Sequence, residues 1–234
     1  MAGFKNIFRI RLALHILQSP KVAIDLYGGD VPHEFYAYFT KPHPSFPLVS
    51  RNTFGAALVD LTENGANYLA DKKYARRRYN KSKKLGHEFR QFDATQHIDE
   101  LIGINTSTDF RQNRRMIESY SDKEKVRNMA RVEAPSFGVF SEDGKLLAYT
   151  HAPILGDVFS YSRILGHSDH LESGVMFRLV VDTNDWMRQH YQEHGFPRWA
   201  YYDMFLGASP GLRFFKQNAG FRPYRVSWRW RQED

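Results

Sequence analysis

The sequence contains no cysteine. That absence excludes disulfides, thiolate zinc sites and a cysteine nucleophile in one step, while leaving the redox compartment open. A long uninterrupted apolar run is also missing. The stretch from Phe4 to Leu17 is broken by Lys5, Arg9, Arg11 and His15, and no small-residue cleavage site follows it. It reads as an amphipathic helix rather than a signal peptide or membrane span, which makes a cytoplasmic location the default expectation. There is no internal repeat and no low-complexity segment, so array architectures are set aside. Acidic residues are the scarcer charge: 26 Asp and Glu against 33 Lys and Arg leave a net charge of +7. Such a balance suits polyanionic partners, whether nucleic acid, phosphorylated cofactors or a membrane surface, and is equally met by a basic solvated surface.

What is present is a chain of 234 residues, 42% hydrophobic and 15% aromatic, enough to bury a sizeable core. Glycines at 28 and 29, an aromatic run and prolines at 42, 44 and 47 mark residues 1–50 as a helix followed by an irregular wrap. Phe54 to Leu61 is a short apolar run and reads as a buried strand. Asn67 to Leu85 reads as a helix with Asn67 as N-cap and Gly86 at its stop, and His87 to Phe92 alternates as a strand. Thr95 to Thr106 and Phe110 to Tyr120 are expected as helices, and Asp122 to Met129 as a helical or disordered connection. Ser136 to Ser141 and Lys145 to Thr150 form a hairpin around Asp143-Gly144. A strand from Asp157 to Leu165, a loop from Gly166 to Gly174 and a long helix from Val175 to His194 follow. Arg198 to Phe205 is a strand, and Ser209 caps a short helix that begins at Pro210 and runs over Gly211 to Asn218. Phe221 to Trp230 is the last strand.

The basic helix stands out chemically. Between Asp71 and Arg90 lie nine Lys or Arg residues, among them Lys72, Lys73, Arg76, Arg77, Lys81, Lys83 and Lys84. Like charges four apart destabilise a helix by a few tenths of a kcal/mol per pair, so an anion is expected to offset them. Phosphates of a nucleic acid such as tRNA would do so, with salt-sensitive affinity. His167 and His170 have the spacing of a metal pair, but no further ligand converges on them in sequence, and no metal is expected. His190 and His194 fall in the last turn of the long helix, where imidazoles favour the helix dipole.

The order hairpin, strand, loop, long helix, strand, short helix, strand over residues 136 to 230 resembles the second half of a GNAT acyltransferase. Two segments give the resemblance a FemAB flavour. Residues 69–89, LADKKYARRRYNKSKKLGHEF, look like the basic helix, glycine and strand of FemAB-type transferases, and residues 207–223, GASPGLRFFKQNAGFRP, look like their closing short helix, Lys and Gly-Phe-x-Pro element. The resemblance covers roughly residues 54 to 230. It implies an α+β, GNAT-like fold with a mixed, mostly antiparallel central sheet, organised as an extension over 1–50 and an acyltransferase domain over 51–234.

The activity implied is transfer of an aminoacyl group from aminoacyl-tRNA to an acceptor amine by direct attack, with no permanently bound cofactor and an acceptor of unspecified identity. An acyl-CoA donor, acetyl-CoA included, and a non-catalytic nucleic-acid-binding module are the alternatives. Acetyl-CoA enzymes of the superfamily hold the pyrophosphate with a glycine-rich loop before the long helix. Here the corresponding loop has glycines only at its ends and carries Asp169 and Glu172, which would repel a pyrophosphate. Gly166, His167, Ser168, His170, Ser173, Gly174 and Lys216 are the expected donor contacts. Asp203, near the end of its strand, is the expected base for the amine, and one of Tyr201 and Tyr202 is expected in the core while the other, Tyr202, protonates the leaving group.

Overall fold

The computed structural model describes residues 18–43, 46–50, 52–62, 68–111, 114–116, 118–205 and 208–232. The helix expected over Phe4–Leu17, the cap at Asn67 and Gly207 lie outside them. In chain order the principal elements are β1 (Lys21–Leu26), α1 (Asp30–Thr40), β2 (Phe54–Asp60), α2 (Lys73–Lys84), β3 (Glu88–Gln91), α3 (Ile98–Thr106), α4 (Lys123–Ala130), β4 (Ser136–Phe140), β5 (Leu146–His151), β6 (Val158–Ser160), β7 (Arg163–Gly166), α5 (Val175–His194), β8 (Trp199–Met204), α6 (Pro210–Asn218) and β9 (Arg222–Trp230). This is the α+β class, and its strands are divided between a five-stranded and a four-stranded sheet, with two short ribbons besides.

Internal contacts divide the chain into two compact units: Met1–Asp60 with Ile154–Phe159 and Phe196–Asp234, and Leu61–Pro153 with Ser160–Gly195. The first unit holds the five-stranded sheet in the order β1-β9-β2-β8-β6. β1 runs parallel to β9, from Lys21 opposite Arg225 to Leu26 opposite Trp230, and β2 is antiparallel to both β9 and β8. Alternation along β9 buries Tyr224, Val226 and Trp228, the period-two pattern of a strand with one face on a core. Phe39 of α1 fills that core, its ring centre 4.4 Å from that of Trp228 and 4.9 Å from that of Tyr201. Asn52 satisfies both polar tips: its Nδ2 donates to Tyr201 Oη at 3.1 Å, and its backbone oxygen accepts from Trp228 Nε1 at 3.1 Å.

The second unit holds an antiparallel sheet in the order β7-β5-β4-β3. Ser141 and Lys145 close the expected β4–β5 hairpin, Ser141 N donating to Lys145 O at 2.9 Å. α5 packs on β3, β4, β5 and β7, and α2 packs on α5. Leu101 and Ile104 of α3, Val126 and Ala130 of α4, and Leu146, Tyr149 and Leu165 of the sheet form one buried cluster.

Three sequence expectations need correction. Residues 18–43 are regular structure rather than a wrap, because Pro32 sits in the first turn of α1, where its missing N–H costs nothing, and the other prolines come after the helix ends. The helix expected over Phe110–Tyr120 is instead a ribbon, Phe110–Arg111 with Arg114–Arg115, followed by a 3-10 turn at Glu118–Tyr120; Met116 N reaches back to Asp109 O at 2.8 Å and closes the loop. The strand expected from Asp157 to Leu165 is two strands in different sheets, broken where Ser162 N donates to Ser160 O at 2.8 Å.

Because Phe39 is 1% exposed and packs against the rings of Phe35, Tyr38, Tyr201 and Trp228, Phe39→Ala is expected to lower stability by roughly 3–5 kcal/mol. Urea unfolding checks this: the midpoint should fall while the slope stays constant.

Candidate functional site

Two groups of residues carry chemistry, one in each unit. In the second unit, the loop after β7 folds as a 3-10 segment, Ser168–Ser173, and ends at Gly174 in the left-handed region, φ +90°. α2 is hooked onto this loop. Arg78 donates Nη1 to the Glu172 carboxylate at 2.9 Å and Nη2 to Leu171 O at 3.0 Å, and Lys81 Nζ donates to Glu172 O at 2.8 Å. A Cβ on Gly174 would stand 2.1 Å from Arg78 O, so only glycine allows the approach, and its φ also favours glycine.

The loop's hydroxyls are committed locally. Ser173 Oγ donates to His170 O at 2.6 Å, and Ser168 Oγ donates to Ser107 O at 2.7 Å while Ser168 N donates to Ser107 Oγ at 3.0 Å. His167 N is tied to Leu147 O at 2.8 Å, and a Cβ on Gly166 would press on Met176 Sδ. The rings of His167 and His170 lie 5.5 Å apart. Burial, then the neighbouring His167, lowers the His170 pKa; burial, then His170, lowers that of His87, whose Nδ1 meets Ser82 Oγ at 2.9 Å. Both shifts favour the neutral forms of His170 and His87. Among the described residues no group of three or more His, Asp or Glu is placed to hold a metal ion.

Of the basic residues on α2, Arg76 donates to Ala70 O at 3.1 Å, and Arg78 and Lys81 bind the loop. Lys73, Arg77, Lys83 and Lys84 are exposed, and Lys72, half-buried, precedes the helix. A cleft of about 600 Å³ is lined by Arg77, Arg78, Asn80, Lys81, Lys84 and Leu85. The helix expected to hold phosphates and the loop expected to hold the donor are thus brought together. Arg78, not singled out in the sequence, joins them; it sits within an Arg-Arg-Arg run whose members the sequence cannot tell apart.

In the first unit, β8 carries a bulge. Tyr201 pairs with Leu58 and Met204 with Ala56, so one residue more lies on β8 than on β2. Asp203 takes φ +48° there, a conformation rare for a residue with a side chain, and is exposed. Tyr201 is the core tyrosine and Tyr202 the half-buried one. Lys216, expected to touch a donor, is instead fully buried and holds the bulge: its Nζ donates to Tyr202 O at 2.6 Å and Met204 O at 2.9 Å, and lies 4.4 Å from the Tyr202 ring centre. The reason is the cap of α6. Ser209 accepts from Leu212 N and Pro210 opens the helix, as expected, which sets Lys216 on the face turned to β8. Burial pushes the Lys216 pKa down to about 8, against a partial offset from the charge of Asp203.

No protein-family model matches the sequence, and no curated protein matches it either. Solved structures do share its fold. The structure of L-PGS from Bacillus licheniformis matches with a TM-score of 0.50 at 18% identity, over 72% of this chain and 57% of that one. The C-terminal domain of a putative lysylphosphatidylglycerol synthetase from Agrobacterium fabrum matches with 0.50 at 17%, over 72% and 57%. FemX matches with 0.53 at 12%, over 75% and 61%. The fold is therefore the one these three structures share, and the chain spans about three fifths of the length of the FemX structure and slightly less of the other two.

Gly174→Ala is expected to break the contact between α2 and the loop, lowering the melting temperature and speeding amide exchange over 168–174; unchanged exchange there contradicts it. For Lys216, the folded pKa of about 8 lies below the ordinary 10.5, so the unfolded chain binds the extra proton between these values. Stability should rise with pH across that window by roughly 3 kcal/mol from this residue. Lys216→Met should flatten the rise, measured by denaturant unfolding at stepped pH.

Proposed function

We propose that the protein is an N-acyltransferase that moves an aminoacyl group from aminoacyl-tRNA to an acceptor amine. The observation that carries this reading is the hooking of a nearly all-basic helix onto the loop ahead of α5. Lys73, Arg77 and Lys84 are exposed and have no ion-pair partner among the described residues, while Arg78 and Lys81 are committed to the loop. A phosphate backbone is the ligand that offsets such a row. The loop itself turns the carbonyls of Leu171 and Glu172 toward α2 cations, and its ends are sterically closed at Gly166 and Gly174. Those features favour a donor held by the helix over a coenzyme A pyrophosphate held by the loop. One of the fold neighbours is named a putative lysylphosphatidylglycerol synthetase, a name that denotes a lysylated product, the kind of group transfer proposed.

In this reading the acceptor nitrogen attacks the ester carbonyl carbon, forming the C–N bond. Asp203 takes the proton from the amine, the ester C–O bond breaks, and the ribose oxygen leaves with a proton from Tyr202. The step requires no metal. Lys216 acts as a strut: by occupying the two carbonyls that flank Asp203, it fixes the bulge that presents the carboxylate.

Radiolabelled aminoacyl-tRNA incubated with candidate amines is expected to yield label resistant to mild base, as an amide is and an ester is not. Asp203→Asn should lower turnover about a hundredfold and leave tRNA affinity unchanged. Replacing Lys73, Arg77 and Lys84 together with Gln should weaken tRNA binding and reduce the slope of log K against log salt by about two. Transfer from acetyl-CoA and from no aminoacyl-tRNA would overturn the donor assignment.

A further inference from the structure

One face of α2 carries more than charge. Tyr74, Arg78, Lys81 and Leu85 follow one another at intervals of four, three and four residues, so they form a single stripe on the helix, with Arg77 and Lys84 beside it. The buried side of α2 is a different one, set by Ala75 and Ser82. Tyr74 and Leu85 are therefore left at the surface, 37% and 49% exposed, at the two ends of a row of cations. No acidic residue lies between Lys72 and Gly86.

The Tyr74 ring is held in a fixed orientation. The Phe177 ring of α5 meets it edge-on, with centres 5.7 Å apart and planes at 74°, and the guanidinium carbons of Arg77 and Arg78 lie 5.9 and 6.0 Å from its centre. Arg78 is fixed in turn by Leu171 O and Glu172, and the Leu171 side chain, 37% exposed, adds apolar surface from the loop. At the other end of the stripe, Leu85 lines the cleft together with Arg77, Asn80 and Lys84.

Such a surface calls for a ligand that is both anionic and apolar. A base-paired RNA helix offers its phosphates and keeps its base faces stacked inside, so Tyr74 and Leu85 would gain nothing from it. An unpaired strand offers phosphates to the cations and a base face to the aromatic ring. A stripe without a single acid suits that uniform charge better than the mixed charges of a protein partner. We propose that α2 binds an unpaired ribonucleotide strand, with one base stacked on Tyr74 and the phosphates that follow it on Arg77 and Lys84. This rests on the reading of α2 as the element that holds an RNA donor, and adds which part of the RNA it holds.

The test is titration of the full chain, by fluorescence anisotropy at several salt concentrations, with a labelled unstructured RNA oligonucleotide and with the same strand annealed to its complement. Vesicles containing phosphatidylglycerol form a third arm. The single strand should bind roughly tenfold or more tightly than the duplex. Tyr74→Leu should weaken single-strand binding roughly five- to a hundredfold and leave the salt slope unchanged, because no phosphate contact is lost, while Tyr74→Phe should keep the affinity of the unaltered chain. If Tyr74→Leu does not fold, Tyr74→Gln is read by the same titration. Equal binding of strand and duplex, or full affinity in the folded leucine or glutamine variant, would overturn the stacking and leave α2 as an RNA-binding helix. No binding of either RNA, with or without binding of vesicles, would overturn both.

Discussion

The guanidinium of Arg78 is the interaction on which the candidate site depends. It leaves α2 and binds a side chain and a backbone carbonyl of the loop ahead of α5, while its own carbonyl sits where any side chain on Gly174 would have to go. Lys81 repeats the contact one turn on. Glu172 is 87% exposed, so its ion pair with Arg78 contributes little stability by itself. What matters is geometry: two charge-assisted bonds to carbonyls and one steric fit place a row of cations beside the loop. The acidity of Glu172, which in the bare sequence argues against an anionic ligand at the loop, is matched inside the fold by a cation from α2.

A comparable division of labour holds at the β8 bulge. Adding one residue to a strand frees carbonyls that the neighbouring strand cannot reach, and Lys216 supplies the missing donors from below. The cost is a buried ammonium group, visible in its lowered pKa. The gain is a fixed, exposed Asp203 in a conformation that an ordinary strand would not hold. A lysine that looks like a ligand-binding residue by its chemistry is thus a framework residue by its position.

Much of the fold was legible because it rests on local signals. The Asp-Gly turn between β4 and β5, the Ser209-Pro210 cap of α6, the long periodic stretch of α5 and the alternation of β9 each follow from residues close in sequence. β1 was not legible, since its apolar residues pair in parallel with a strand two hundred residues away. Nor was the break between β6 and β7, where continuous strand propensity conceals a change of sheet. The site was legible in outline: the basic helix, the loop and Asp203 were picked out by charge and order. Arg78 was not, because which member of the Arg-Arg-Arg run reaches the loop is a property of three-dimensional surroundings.

Hydrogen exchange measured with uncharged tRNA and, separately, with coenzyme A most directly tests whether α2 and its loop receive a polyribonucleotide donor. Slowed exchange over 73–84 and 167–174 with tRNA, diminishing as salt is raised, and no change with coenzyme A is the expected result. Protection of the loop by coenzyme A, with α2 unaffected by tRNA, would contradict it.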